Sequence, residues 1–361
     1  MKWHWILLLL SALSICHAAN TQIGVYYYPG WKDNLVGGVS AHPWEVIKPY
    51  PDREPLLGYY AEDQDGILNH QLGMMADNGI SFVVFDWYWH AKLGALKTQA
   101  IDTYFRVPNR ARVKTTILWA NHTEFPQSED EYKAMVRYWL RYFLHSEYLQ
   151  IDGKPVVFVF SMDGLEAKAN AFGKTTADLI ADAQAIARGA GFKGIYFVGS
   201  TGANNPIFAK LNGTGPYDAI TSYNFQGPAT YLYDGKRNVS HSYGELDAAY
   251  RDQWSWMLSH TSIPFIVPMS SGWDRRPWGG SPDPQHDESR ATPREFAAHL
   301  EAGRNLILGN HARTLGMGVI CCWNEFGEGS FIEPTKAGGD ALLRQVNFVF
   351  ARREGASKNA P

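Results

Sequence analysis

Short apolar runs alternate with longer amphipathic segments along most of the chain. The runs are rich in β-branched and aromatic residues, and most are apolar throughout, as parallel strands covered on both faces should be. Eight of them can be counted, at residues 23–28, 81–86, 115–120, 156–161, 195–199, 219–223, 265–269 and 318–323. Eight strands alternating with helices predict the α/β class, a (β/α)8 TIM barrel in a single domain.

Helix start and stop signals lie between the runs. Ser128, Ser242 and Thr292 are each followed three positions later by Glu, which is the spacing of a capping box. Glycine-containing pairs or triplets at 78–79 and 189–191 indicate helix ends. These signals support helices in the segments between the predicted strands.

The main alternative is an open, doubly wound sheet. Such a sheet normally has a glycine-rich phosphate turn after its first strand, whereas here that strand runs into Pro29, Gly30 and Trp31, and the chain has neither G-x-G-x-x-G nor a P-loop. The segments after strand one (29–61) and strand seven (270–291) are long and rich in Trp, Pro, Gly and charge. Loops that follow strands carry function in a barrel.

The two ends of the chain differ from the rest. Residues 1–19 combine Lys2, an apolar stretch and a small-residue cleavage point, as in a signal peptide, and the stretch is too short to span a bilayer. Lipid attachment at Cys16 is less favoured because Ile15 is bulky. We therefore expect a secreted or periplasmic protein without stable membrane insertion, a catalytic domain over 20–353 and a disordered tail over 354–361.

Composition narrows the partners. The net charge is −3 with both signs mixed along the chain, so nothing predicts binding to nucleic acid or an anionic membrane. Aromatic residues make up 14% of the chain, which suits either a carbohydrate groove or a ring-rich core. Beyond the signal, only Cys321 and Cys322 remain; as neighbours they cannot form a disulfide framework, and both are interpreted as buried strand residues.

Three carboxylates follow the last predicted strand within nine residues, at Glu325, Glu328 and Glu333, with Trp323 and Phe326 beside them. Two acids at the mouth of a barrel strand could cleave a glycosidic bond, one as proton donor and the other on the opposite face of the sugar. The alternative is a solvated acidic loop. The position of the segment at the end of strand eight favours chemistry.

Polar and aromatic residues also follow the other strands, and ring faces with hydrogen-bonding groups together are typical of a sugar site. The candidate substrate-binding residues are Tyr27, Tyr28, Trp31, Asp86, Trp87, Tyr88, Asn121, His122, Tyr223, Trp273, Asp274, Arg275, Asn324 and Glu333. Structural roles remain open for several of them. Asp86 could cap a helix or pair with an arginine, His122 could be structural, Trp273 could pack a loop, and Glu333 could tether the loop by hydrogen bonds.

Other catalytic designs have little support. The histidines are scattered without H-E-x-x-H, no cysteine pair has zinc spacing, and there is no G-x-S-x-G nucleophile elbow. We therefore expect neither metal nor cofactor, and a hydrolase built on carboxylates remains.

The chain resembles the glycoside hydrolase family 99-like group, which includes endo-α-mannosidases and WbsX-type proteins. The resemblance rests on residues 23–29, 79–89 and 272–277, on Thr292 to Phe296, and above all on the acidic segment 323–334. It implies a retaining, endo-acting hydrolase in which Glu325 is the base toward the sugar 2-hydroxyl and Glu328 is the acid/base at the leaving oxygen. It also implies a raised pKa for Glu328 and an ionised Glu325.

One feature departs from the mannosidases. They carry Trp-His between the two acids, whereas this chain has Phe326-Gly327, which is closer to the WbsX branch. The sequence therefore predicts an exported glycosidase acting on a glycan or polysaccharide without identifying the sugar. The alternatives are a WbsX-type glycosyltransferase, which would need a donor site that no motif indicates, and a carbohydrate-binding barrel without catalysis.

Overall fold

The computed structural model describes residues 21–36, 39–122, 125–202, 215–224 and 239–351. The predicted signal peptide and the predicted tail lie outside these residues. Within the described ranges, none of the helices combines the length and the apolar character that crossing a membrane requires.

Eight parallel strands form the centre of the molecule. They are β1 Gln22–Tyr27, β2 Phe82–His90, β3 Lys114–Trp119, β4 Lys154–Val159, β5 Tyr196–Ser200, β6 Ala219–Thr221, β7 Val267–Ser270 and β8 Met317–Cys321. Hydrogen bonds join them in the order β6-β5-β4-β3-β2-β1-β8-β7, and a parallel bridge between Ile220 and Phe265 links the two ends of this sheet. The sequence prediction of a (β/α)8 barrel is confirmed.

Helices surround the strands. The described α-helices are α1 Ile67–Asp77, α2 Gln99–Tyr104, α3 Glu129–Phe143, α4 Met162–Ala171, α5 Thr176–Gly189, α6 Tyr243–His260, α7 Pro293–Gly309, α8 His311–Thr314 and α9 Ala341–Val346. Short 3-10 turns occupy Pro43–Val46, Pro51–Arg53, Pro108–Arg112, Arg276–Trp278 and Pro284–Glu288, and a π-helical turn covers Asn347–Ala351. The helix ends predicted at 78–79 and 189–191 agree with the ends of α1 and α5.

The predicted N-caps are present in the structure. Ser128, Ser242 and Thr292 each accept a hydrogen bond from the backbone N–H three residues later. Only Thr292 has the reciprocal bond of a full capping box, with Glu295. The glutamates after the two serines bind the N–H of the residue before the cap instead, which still satisfies an N–H near the helix start.

Alternate side chains of each strand enter two different cores. On β1, Tyr26 packs in the barrel interior with Phe82 and Val84 of β2, whereas Tyr27 belongs to the layer between strands and helices. This follows from the two-residue period of a strand. Cys321 and Cys322 are buried, as expected, but they are also bonded to each other as a disulfide of adjacent residues, which the sequence interpretation did not include.

Three small pairs of antiparallel strands lie at the carboxyl ends of the barrel strands. They are Asn34–Val36 with Val39–Ala41, Gly272–Trp273 with Ser289–Arg290, and Asn324–Glu325 with Ser330–Phe331. Gly94–Leu96 pairs with the end of β2, and Gln150–Ile151 with the start of β4. The pairs that follow β1, β2, β7 and β8 lie at the face on which barrel enzymes carry their sites.

Candidate active site

A tight hairpin after β8 holds both candidate catalytic acids. Asn324 and Glu325 pair with Phe331 and Ser330, and the backbone N–H of Glu328 donates to the carbonyl of Glu325 at 3.2 Å within the connecting turn. Gly329 closes the turn with φ of 70°, so the conformation itself favours glycine. The two acids are therefore fixed by one short hairpin.

The loop after β7 holds this hairpin in place. The N–H of Asp274 donates to the carbonyl of Glu328 at 2.6 Å. The buried guanidinium of Arg53 pairs with the Asp274 carboxylate and donates to the carbonyls of Asp274 and Phe326, at 2.9 and 2.7 Å. A buried arginine that donates to several acceptors holds the loop and the hairpin together effectively, because each of its hydrogen bonds is charge-assisted.

A cavity of about 440 Å³ opens at this face. Its walls combine three carboxyl groups with aromatic rings, hydroxyls and amides. The lining residues are Tyr28, Asp86, Tyr88, Lys97, His122, Phe160, Ser200, Thr201, Gly202, Ser222, Tyr223, Asn224, Trp278, Glu325 and Glu328. The volume and the mixed lining are suitable for a sugar ring.

One tyrosine hydroxyl joins two of the three acids. Tyr223 Oη lies 3.0 Å from Asp86 Oδ2 and 2.9 Å from Glu325 Oε1. The other carboxyl oxygens, Asp86 Oδ1 and Glu325 Oε2, are buried and have no hydrogen-bond partner within the part of the chain that the structure describes. Each of these two acids therefore has one carboxyl oxygen without a protein partner among the described residues.

Burial raises the pKa of both hairpin acids. For Glu328 the pKa rises to about 7, against the opposing effects of a hydrogen bond from Asn224 and the charge of Arg275. For Glu325 the pKa rises well above its usual value, through burial first and then the charges of Glu328 and Asp86, while Tyr223 and Lys97 oppose the rise. The environment therefore favours a protonated Glu328 below neutrality, and it disfavours two adjacent ionised acids.

Lys97 supplies a positive charge within this cavity. Its Nζ donates to Tyr28 Oη at 3.1 Å and lies 4.8 Å from the ring centroids of both Tyr28 and Tyr88. Burial lowers its pKa, and the carboxylates of Glu325 and then Asp86 oppose that effect. The ammonium group is therefore a counter-charge for these acids.

Strand alternation explains which candidates on β1 and β2 reach the cavity. Tyr28, Asp86 and Tyr88 line it, whereas Tyr27 and Trp87 point to the helices. Tyr27 Oη donates to Gln71 of α1 at 2.9 Å, and Trp87 packs among the rings of α3. Tyr27 and Trp87, which were expected to contact substrate, therefore lie outside the lining of this cavity, because adjacent strand residues face opposite sides.

Three further candidates form a buried network behind the cavity wall. Trp31 stacks on Trp44 with ring centroids 4.1 Å apart, and its Nε1 donates to the carbonyl of Asn324 at 3.0 Å. Glu333 accepts hydrogen bonds from Tyr60 Oη at 2.7 Å and from the Gln71 amide at 2.8 Å. Trp31, Asn324 and Glu333 therefore lie outside the lining and support it, and the tether interpretation of Glu333 agrees with these bonds.

The remaining candidates hold loops together. Asn121 makes two hydrogen bonds to the backbone of Ser161, at 2.8 and 2.9 Å. Trp273 stacks on His286, and Asp274 belongs to the arginine cluster described above. Arg275 is not in the lining, although its charge acts on Glu328. These four residues were expected to bind substrate, and the structure places them outside the cavity lining.

His122 lines the cavity with its ring centroid 4.0 Å from that of Phe160, and partial desolvation, followed by the charge of Lys97, lowers its pKa. Sequence reasoning had not selected several lining residues. They are Lys97, Phe160, Ser200, Thr201, Gly202, Ser222 and Trp278. Most lie just after strands, where a wider search would have found them. Lys97 instead follows a short strand folded back on β2, a feature with no clear sequence signal.

A family model described as glycosyltransferase WbsX matches residues 49–346. The chain belongs to this family. The predicted resemblance to the WbsX and family 99-like group is therefore confirmed. A comparison with curated proteins finds no match.

Among solved structures, the chain resembles a family 99 endo-α-mannosidase from Bacteroides thetaiotaomicron. The TM-score is 0.61 at 17% identity, covering 91% of this WbsX-family chain and 96% of the other. The same enzyme in complex with bis-tris propane gives 0.62 at 16% identity with the same coverage. A structure described as a glycoside hydrolase-like protein gives 0.66 at 16% identity, covering 92% and 94%. At these identities the likeness shows the fold, and the chemistry has to be argued from the residues.

Proposed function

We propose that this WbsX-family protein is a retaining glycoside hydrolase, endo-acting on a glycan or polysaccharide. The observation that carries the proposal is the pair Glu325 and Glu328 on one hairpin at the carboxyl-end face of the barrel, lining a cavity with Tyr28, Tyr88 and Trp278. Aromatic rings provide stacking surfaces for a sugar, and the two acids provide proton transfer at the glycosidic bond.

The two acids have different roles in this proposal. Glu328, whose pKa burial raises to about 7, donates its proton to the departing oxygen and then takes one from water. Glu325 accepts the proton of the sugar 2-hydroxyl through Oε2, the oxygen left free by Tyr223. The 2-oxygen then attacks the anomeric carbon, and a 1,2-anhydro sugar forms as the leaving group departs. In the second step water attacks the anomeric carbon and gives a proton to Glu328, while Glu325 returns its proton to the 2-oxygen as the anhydro ring opens.

The neighbourhood of Gly327 bears on the sugar. A Cβ built at Gly327 would lie 2.2 Å from the indole of Trp278, which itself lines the cavity and contacts Tyr28 edge to face. Trp278 thus occupies the space that a histidine at this position would need. The family 99 mannosidase pattern cannot be accommodated without moving this ring, so we propose a substrate other than the α-mannoside of the resembling enzyme.

The family's description favours a glycosyltransferase as the second candidate. A sugar-nucleotide donor carries a diphosphate, and among the described residues the cavity lining presents three acids against one lysine. Such a site repels a diphosphate unless a cation intervenes. We therefore place hydrolysis first.

A glycan panel tests the assignment. The purified protein is incubated with α-mannans and bacterial surface polysaccharides, and the anomers of the products are followed by NMR. Hydrolysis with retention, abolished in Glu325→Gln and Glu328→Gln and unchanged in the exposed-surface control Glu301→Gln, is the expected result. Product formed only with a sugar nucleotide would establish the transferase, and a glycan bound but left uncut would establish a binding protein.

We further propose that the protein is exported after removal of residues 1–19. The basis is the sequence pattern of this segment. Mass spectrometry of the protein isolated from its native cells should show a mature chain beginning near residue 20. A chain retaining Met1, or a lipid on Cys16, would contradict cleavage at this point.

A further inference from the structure

The contact between Tyr223 and two carboxyl groups requires more hydrogens than the tyrosine has. Its Oη lies within hydrogen-bond distance of Asp86 Oδ2 and Glu325 Oε1, at 3.0 and 2.9 Å. A phenol has one hydrogen, and ionised carboxylates only accept. If both acids were ionised, at most one of these contacts could be a good hydrogen bond, and two buried negative charges would face each other across one hydroxyl. A second hydrogen on one of the acids resolves both problems.

We infer that Asp86 holds this hydrogen and donates it to Tyr223 Oη, while Tyr223 donates to Glu325, so that the three groups share a single negative charge that resides on Glu325. Asp86 is then a positioning residue that acts on Glu325 through Tyr223. The side chains come from three different parts of the barrel, namely β2, the end of β6 and the hairpin after β8. The chain of hydrogen bonds therefore also ties these parts together.

The surroundings decide which acid carries the charge. Among the residues that the structure describes, Lys97 is the cation whose charge acts on both Asp86 and Glu325, and of the two carboxylates Glu325 acts on it more strongly than Asp86 does. Glu328 faces both acids and disfavours charge on either, while Tyr28 and Tyr88 present rings and hydroxyls without formal charge. Burial raises the pKa of Asp86 and the pKa of Glu325 well above their usual ranges, which agrees with one proton held between the two acids.

The arrangement gives Glu325 what a base toward a sugar hydroxyl needs. One oxygen is fixed by Tyr223, the other has no protein partner among the described residues, and the side chain lines the cavity. A hydrogen-bond donor also favours the ionised form of an acid that burial would otherwise neutralise. This role rests on the proposed function, whereas the protonation of Asp86 does not and can be measured on the free protein.

Infrared difference spectra of the ligand-free protein near neutral pH test the protonation. Asp86→Asn should lose the carbonyl band of a protonated carboxylic acid. Glu325→Gln should instead lose the bands of an ionised carboxylate, as should the exposed control Glu301→Gln. Loss of a carboxylate band in Asp86→Asn, or of an acid band in Glu325→Gln, would overturn the inference. Circular dichroism spectra of all variants confirm that each is folded.

The positioning role of Asp86 is tested by measuring kinetics on the glycan that the panel identifies. Asn at position 86 can still donate to Tyr223, so Asp86→Asn should retain kcat/KM within about tenfold of the wild type, whereas Asp86→Leu, which has no donor, should lose about a hundredfold or more. The acid limb of the pH profile should not move in Asp86→Asn, because no charge has been removed.

The opposite result has a clear signature. If Asp86 were ionised, its replacement by Asn would remove a negative neighbour of Glu325 and shift the acid limb to lower pH. That shift, or an Asp86→Asn variant as inactive as Asp86→Leu, would contradict the inference. If no glycan is cleaved by the wild type, the proposed hydrolase activity fails while the infrared result still decides the protonation of Asp86.

Discussion

The side-chain amide of Asn324 makes two hydrogen bonds to the backbone of Tyr28. Its Oδ1 accepts from the Tyr28 N–H at 2.8 Å, and its Nδ2 donates to the Tyr28 carbonyl at 3.0 Å. The hairpin with Glu325 and the end of β1 are thereby held in one register. Since Tyr28 lines the cavity and Asn324 lies behind it, one buried amide aligns two walls of the site.

We expect Asn324→Ala to lower both stability and activity. Two partly buried backbone groups of Tyr28 would lose their partner, at a cost of about 1–3 kcal/mol in the free energy of unfolding. Urea denaturation measures this cost, and kcat/KM should fall by more than a loss of folded protein accounts for. Asn347→Ala is the matched control, because it removes one amide bond to the carbonyl of Asp77 on the far side of the barrel. Equal effects of the two variants would contradict an aligning role.

Glu328 should produce an alkaline limb in the pH profile. Its protonated form is the active one if it is the proton donor, and its pKa is raised to about 7. Activity should therefore fall as pH rises through about 7. Glu328→Gln should lower kcat/KM by roughly 10²–10⁴-fold and remove this limb from whatever activity remains. The measurement is kcat/KM against pH for both proteins.

A substrate with a good leaving group distinguishes the roles of Glu325 and Glu328. A nitrophenyl glycoside of the cleaved sugar needs little help from an acid, so Glu328→Gln should regain much of its glycosylation rate with it. Glu325→Gln should remain inactive, because activation of the 2-hydroxyl is still required. Rescue of Glu325→Gln, or failure to rescue Glu328→Gln, would reverse or reject the assigned roles.

Glu333 should make stability depend on pH. Burial raises its pKa to about 8, so the folded protein holds a proton that the unfolded chain has released above about pH 4.5. The free energy of unfolding contributed by this group therefore falls as pH rises from about 4.5 to about 8. Glu333→Gln keeps a neutral side chain between Tyr60 and Gln71, and it should remove part of this decline.

Urea denaturation at about pH 5 and about pH 8 measures the effect of Glu333. The wild type should lose more stability than Glu333→Gln between these values, and the variant should be the more stable protein at the higher pH. Glu301→Gln, at an exposed position of α7, should follow the wild type. A variant with the full wild-type decline would show that Glu333 is ionised in the folded protein.

Gly327→Ala tests the packing against Trp278. The added methyl group would overlap the indole, so Trp278 must move out of the cavity wall or the hairpin must shift. We expect a lower melting temperature and a raised KM, since the ring is a stacking surface for the sugar. Gly309→Ala is the control, because a Cβ there meets nothing within 4 Å and Ala favours the helix. An unchanged KM in Gly327→Ala would show that Trp278 does not contribute to substrate binding.

The sequence by itself determined the barrel and the position of the acids. Eight apolar runs and the caps between them are local signals. The fold follows from them because parallel strands must be buried on both faces, by helices outside the barrel and by packed side chains inside it. The end of the eighth strand was recognisable for the same reason. The alternation of strand side chains was also readable, and applying it would have excluded Tyr27 and Trp87 from the cavity.

Only the tertiary structure decided which polar groups meet. Asp86 and Glu325 are far apart in sequence, and nothing local shows that Tyr223 lies between them. Arg53 likewise reaches Asp274 across most of the chain, and Lys97 enters the site through a short strand folded back on β2. The local sequence pattern shows whether a segment is a strand or a helix and which of its faces is apolar. Charge pairing, burial and proton sharing depend instead on distances between elements, and those distances are set only when the barrel closes.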